Sequence, residues 1–291
     1  MLIDAHHHLW RYNDRDYVWM SDEMSALRRD FVMTDLDQVT RESGVDGTVA
    51  VQARQTPEET EWLLELAAHH PLLLGVVGWV PLVDPDVVRQ LDRFAGSAKL
   101  KGIRHVLHDE PDHLYMLRED FNHGVSLLQP LGLVYDILIF ERHLPQTLTF
   151  VDRHPKQIFV VDHIAKPRIR DGVITPWKEN LTELAKRENV YCKISGMATE
   201  ADWKSWTPEH LRPYFDMVLA AFGPERLMFG SDWPVLTLAG SYRQWVDTFR
   251  GLIAELSGDE QSEISNGTAT RAYRLASPAS ADGHAAITAR N

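Results

Sequence analysis

Three consecutive histidines, His6-His7-His8, with Asp4 before them and Trp10 after, close the first apolar run of the chain. If that run is a strand, side chains alternate, so Asp4, His6 and His8 share one face and His7 takes the other. Two imidazoles on neighbouring inward positions can hold a metal ion or together polarise a carbonyl. A strand end that merely happens to be rich in histidine offers the same residues without that role. Other runs end in comparable chemistry. Val51-Gln52-Ala53-Arg54-Gln55 and Lys101-Gly102-Ile103-Arg104-His105 present Gln52, Arg54, Arg104 and His105, suited to carboxylate or polyol oxygens and equally to ion pairs at a rim. Val161-Asp162-His163 supplies an acid and an imidazole; continued as a strand it sends them to opposite faces, and His163 is the one expected in a site. Phe229-Gly230-Ser231-Asp232-Trp233-Pro234 lands Asp232 where a general base is wanted, with Gly230 permitting close backbone approach. A plain turn aspartate is the competing reading there.

These groups need elements that bring them together. Eight short apolar runs recur: Leu2–Ala5, Asp46–Val51, Leu73–Val80, Leu100–Val106, Leu133–Ile139, Ile158–Ile164, Val190–Ile194 and Arg226–Gly230. Between most of them lie helix starts. Thr56-Pro57-Glu58-Glu59 reads as a capping box with Pro at the first helical position, followed by Trp62, Leu63, Leu66 and Ala67 at helical spacing. Thr207-Pro208 opens another helix, with Leu211, Tyr214, Met217, Val218 and Ala221 as its apolar stripe, and Asp84-Pro85-Asp86 a third, carrying Val87, Val88, Leu91 and Phe94. Strand then helix, about eight times over, predicts an α/β fold: a single (β/α)8 TIM-type barrel spanning residues 1–276, with residues 277–291 as a C-terminal tail. A doubly wound sheet would carry a Gly-rich phosphate turn where the histidines stand. The stretch after the first strand is long and holds Trp10, Tyr12, Tyr17, Trp19 and Met20, which predicts a packed aromatic loop over the barrel mouth.

Composition narrows the function classes. The chain has 291 residues, with 30 Lys+Arg against 42 Asp+Glu, a net charge of −12 that argues against nucleic-acid and anionic-membrane partners. A single cysteine, Cys192, excludes an intramolecular disulfide and fits a reducing compartment. No basic, apolar leader opens the sequence, so a cytoplasmic location is the expectation.

Taken together and in order, these motifs resemble the amidohydrolase superfamily. The resemblance runs over nearly the whole chain: Asp4-x-His6-x-His8-x-Trp10, Lys101-Gly102-Ile103-Arg104-His105 with His108-Asp109-Glu110, Asp162-His163-x-x-Lys166-Pro167, Lys193-Ile194-Ser195-Gly196 and Phe229-Gly230-Ser231-Asp232-Trp233-Pro234. The full set is similar to the branch of sugar-lactone hydrolases, the L-fuconolactonase and L-rhamnonolactonase types, related to the pyrone-dicarboxylate lactonases. That resemblance implies a hydrolase opening the ester ring of an aldonolactone, with Asp232 as general base and His6, His8 and His163 around the carbonyl. Gln52, Arg54, Arg104, His105, Trp10, Trp79 and Trp233 are then expected to contact substrate. The chain departs from the binuclear members: its fourth strand offers Arg104 and His105 in place of a bridging Lys or Glu, and its fifth, Val134-Tyr135-Asp136-Ile137, has no histidine. His6, His8 and Asp232 would suffice for one Zn²⁺, which the resemblance implies is not required for activity. The alternative on the same barrel is a mononuclear Zn²⁺ hydrolase or a non-oxidative decarboxylase.

Overall fold

The structure, a computed structural model, describes residues 1–94 and 96–276; the tail expected over 277–291 lies outside the described residues. All eight apolar runs form strands: β1 (Ile3–His7), β2 (Gly47–Val51), β3 (Leu73–Gly78), β4 (Leu100–Val106), β5 (Val134–Leu138), β6 (Phe159–Val161), β7 (Val190–Ile194) and β8 (Leu227–Phe229). They pair in parallel in sequence order. The seam between β8 and β1 is closed by the residues that follow β8: Asp232 N donates to the His6 carbonyl (2.8 Å) and His8 N to the Trp233 carbonyl (2.6 Å). This is a (β/α)8 barrel, because a parallel neighbour can be reached only by a crossover, and here a helix supplies each one.

The helix starts follow local chemistry. Thr56 Oγ1 accepts from Glu59 N at the head of helix Pro57–His69. Glu59 does not complete the capping box, however. Its carboxylate turns away to accept from the N–H groups of Ala53 and Arg54 (2.9 and 2.7 Å) in the loop after β2. Helix Pro208–Phe222 buries Leu211, Tyr214, Met217 and Val218 as its spacing predicts. In helix Val87–Asp92, Val87 and Leu91 are buried but Val88 is exposed.

Two apolar layers result. One lies between strands and helices. The other fills the barrel's lower interior with Ile3, Ala5, Val49, Val51, Val77, Val160 and Met228, packed against Ala269, Ala272, Tyr273 and Leu275 of the last helical segment. Above that aliphatic floor, the strand ends carry charge. No helix among the described residues is long and apolar enough to cross a membrane.

Candidate active site

Residues from β1, β6, β7 and β8 converge at the C-terminal ends of the strands. The register of β1 against β2 shifts between Asp4 and His7. That irregularity breaks strict alternation, so Asp4 does not join His6 and His8 as expected. It accepts instead from Ser231 Oγ (2.6 Å), Ser231 N (2.8 Å) and Tyr242 Oη (2.8 Å) of helix Tyr242–Ile253. His6 and His8 turn inward with their Nε2 atoms 3.2 Å apart, while His7 faces Thr48 Oγ1. Gly230 makes room: a Cβ there would lie 2.8 Å from His6 Cβ.

β6 stops at Val161, and His163, Ile164, Ala165 and Lys166 all take positive φ (53°, 48°, 62° and 49°). Residues with Cβ pay for that conformation, and a β-branched one most, so this turn is held by its surroundings. The turn brings both Asp162 and His163 inward, where strand alternation predicts only one. Gly196, at φ 66°, lets His163 in, since a Cβ there would meet its ring at 2.7 Å.

Asp232, itself at φ 59°, is the meeting point. Its Oδ1 lies 3.4 Å from His8 Nε2, 3.7 Å from His6 Nε2 and 3.8 Å from His163 Nε2. Burial pushes the Asp232 carboxyl up, but the rings of His163 and His8 together with Lys166 outweigh it and keep the group below the ordinary carboxylate value. His163 is held well below the usual imidazole range, first by burial and against the pull of Asp232. His6 is held down likewise, burial again coming first and Asp162 opposing it. An ionised carboxylate beside imidazoles is a proton acceptor surrounded by hydrogen-bonding rings.

Beneath this cluster runs a fully buried ionic layer. Lys193 Nζ lies 2.5 Å from Asp136 Oδ2, 3.0 Å from Asp162 Oδ1 and 3.1 Å from His6 Nδ1. Arg104 Nη1 donates to Asp162 Oδ2 (3.1 Å), and Tyr273 Oη donates to Asp136 Oδ2 (2.8 Å). Two carboxylates and two cations balance, as buried charges must. The Asp162 carboxyl is pushed up by burial, yet Lys193, His6 and Arg104 carry it well below its usual value. Asp136 is pushed up to about 6, by burial first and by Asp162, against Lys193.

The expected rim residues fall into different surroundings. Arg104 is buried, with Nη2 donating to the Gln52 carbonyl and Nη1 to Asp162. Gln52 Nε2 donates to the Arg104 carbonyl (3.3 Å). Arg54 pairs with Asp16 and keeps a quarter of its side chain exposed. His105 stands outside the cluster, at Glu110 Oε1 (2.6 Å), under Tyr115 (5.0 Å between rings) and accepting from Trp79 Nε1 (3.2 Å). Trp10 is fully buried, donates to the Arg29 carbonyl (2.9 Å) and packs on Tyr17, Trp19 and Phe31; Trp233 is buried against Phe31. Sequence reading gave no site role to Asp136, Asp162 or Lys193. Their signal was there: single charges inside, or directly after, strands that are otherwise uncharged.

His6 Nε2, His8 Nε2 and Asp232 Oδ1 form a triangle with sides of 3.2, 3.4 and 3.7 Å. A tetrahedral ion with bonds near 2.1 Å needs edges of about 3.4 Å, so these donors fit one Zn²⁺ with a fourth position open. Known proteins resemble this chain over nearly all of its length. The chain is 40% identical over 290 residues to an L-fucono-1,5-lactonase of Burkholderia multivorans, covering 96% of this chain and 98% of that one. It is 37% identical to an L-fucono-1,5-lactonase of Burkholderia ambifaria, covering 97% and 98%. A crystal structure of a Burkholderia multivorans amidohydrolase with bound Zn superposes with a TM-score of 0.91 at 40% identity, covering 95% of this chain and 100% of that chain. Residues 3–275, the whole barrel from β1 to the closing segment, match the amidohydrolase family, and to that family this chain belongs.

Proposed function

We propose that this protein hydrolyses the ester ring of an aldonolactone of the L-fucono or L-rhamnono type to the open sugar acid. The carrying observation is the convergence of three imidazole Nε2 atoms within 3.8 Å of Asp232 Oδ1, in a chain matched over 96% of its length by an L-fucono-1,5-lactonase. Asp232 takes a proton from water as the water oxygen attacks the lactone carbonyl. Imidazole N–H groups of His6 and His163, with His8 beside them, meet the oxyanion that develops. Collapse of the tetrahedral species breaks the bond to the ring oxygen, and the proton held by Asp232, directly or through His163, returns to that oxygen. Within the rim set, Arg54 and Trp79 keep exposed surface, and these we assign to the sugar hydroxyls and ring face.

A Zn²⁺ held by His6, His8 and Asp232 would supply Lewis-acid polarisation of the carbonyl. The lactone is already electrophilic, and we propose that activity does not require the ion. The second reading, a mononuclear Zn²⁺ hydrolase or a non-oxidative decarboxylase, is favoured by the fit of that donor triangle and by the Zn in the related crystal structure. An aldonolactone panel followed with a pH indicator, with and without chelator, separates the two. Turnover of L-fuconolactone that survives metal removal supports the first. A dead, metal-free protein restored by Zn²⁺ establishes the second, and decarboxylation without lactone cleavage overturns the lactonase reading.

A further inference from the structure

We infer that Lys193 fixes the tautomer of His6, and thereby sets the His6–His8–Asp232 cluster for hydrogen-bond donation and against metal ligation. Lys193 is wholly buried, and an ammonium can only donate. Its Nζ makes hydrogen bonds to Asp136 Oδ2 (2.5 Å) and to His6 Nδ1 (3.1 Å). The second bond requires a lone pair on Nδ1, and a neutral ring with its lone pair there carries its proton on Nε2.

At the opposite end of the cluster, His8 Nδ1 lies 2.8 Å from the Val51 carbonyl, which can only accept, so that nitrogen carries a proton. His8 Nε2 faces both His6 Nε2 (3.2 Å) and Asp232 Oδ1 (3.4 Å). The rival for His6 is Asp162 Oδ1, 3.2 Å from Nδ1, which would favour a proton there. That contact favours a charged Asp162, but Oδ1 is left without a geometric hydrogen-bond partner, and Lys193 lies closer to it, at 3.0 Å. Arg104 Nη1 also approaches His6 Nε2, at 3.5 Å, but its shorter bond is to Asp162.

Metal ligation by His6 Nε2 therefore needs the ring proton moved to Nδ1, where it would point at an ammonium. Lys193 acts through His6 and is a positioning residue. The inference rests on this cluster being the active site, not on which ester it opens.

Chelator-treated wild-type protein labelled with ¹⁵N-histidine tests it directly, because two-bond ¹H–¹⁵N correlations show which ring nitrogen is protonated. His6 is assigned by its disappearance in His6→Gln. The expected pattern is Nε2–H; a His6 protonated on Nδ1 overturns the inference whether or not any variant folds. In Lys193→Met, Asp162 is left to accept from His6, so the tautomer should switch and Zn²⁺ affinity, measured by competition with a chromophoric chelator, should rise about tenfold or more. A folded Lys193→Met with unchanged tautomer and Zn²⁺ affinity also overturns it. An inactive lactone panel would remove the lactonase reading and leave these spectra unaffected.

Discussion

The inward and outward sides of the strand ends carry similar residues in different arrangements. Inward, His6, Arg104, Asp162, Lys193 and Asp232 join in one connected network that reaches from Asp136 under the site to Asp232 at its mouth. Outward, ionisable groups are closed off in small sets. His105 has Glu110 and Trp79, and Asp4 has Ser231 and Tyr242. In the loop after β2, Glu59 has two backbone N–H groups. Both populations are buried, so burial of a charge does not mark a site. What distinguishes the inward set is that its top member faces three nitrogens, none of them closer than 3.4 Å. That leaves Asp232 an ionised acceptor at the edge of the network without a short hydrogen bond.

The largest break in this comparison should come from Asp232→Asn. The side chain keeps its shape and loses its basicity, so kcat should fall by about 10²–10⁴. Steady-state kinetics on metal-free protein with unchanged circular dichroism check this. Near wild-type kcat would move the base to His163.

The strands were legible because β-branched runs and helix caps act over a few residues, as Thr56 with Glu59 and Thr207 with helix Pro208–Phe222 show. His6, His8, His163 and Asp232 were legible too, since a barrel gathers its strand ends at one mouth. Asp4 was misplaced because the shift in β1 depends on how β2 registers against it, not on residues 4–8 themselves. Asp162 was assigned outward because the positive-φ turn from His163 to Lys166 has no glycine to announce it. Lys193 and Asp136 are 57 residues apart, and only the closed sheet brings them to 2.5 Å.

Arg104→Ala comes next in size. Removing one partner of a buried ion pair strands the other, here Asp162, and typically costs about 3–5 kcal/mol. Arg104 gives Nη1 to Asp162 and Nη2 to the Gln52 carbonyl, so the expected signature is a lowered unfolding midpoint in denaturant. A rise in KM at unchanged stability would instead make Arg104 a substrate contact.

Glu59 tests the outward set through pH. Its carboxyl is pushed up to about 7, by burial first and against Arg54 and the Ala53 N–H. A folded value raised above the unfolded one means stability is fully present below about pH 4.5 and lost as pH rises through 7. Relative to Glu59→Gln, the wild type should therefore lose roughly 3 kcal/mol between pH 4.5 and 7.5, an order-of-magnitude figure. Parallel stability–pH curves for the two proteins would show that Glu59 does not titrate in that window.

The smallest effect is expected at His105, and it sharpens the comparison most. His105 lies one residue after Arg104 on β4, yet its partners are Glu110, Trp79 and Tyr115, none of them a member of the Asp232 cluster. His105→Gln removes a ring stacked on Tyr115 and weakens two hydrogen bonds, which should cost about 1 kcal/mol. None of those partners bonds to Asp232, His6, His8 or His163, so kcat should stay within about twofold of wild type. If Trp79 meets the sugar as proposed, His105 acts on the substrate through that indole, whose N–H it accepts. Loosening that indole should appear as a modest rise in KM that Trp79→Phe reproduces and that does not add to it in the double variant, since both changes act on one contact. A loss of kcat in His105→Gln at intact stability would place His105 in the inward network and collapse the distinction between the two sides.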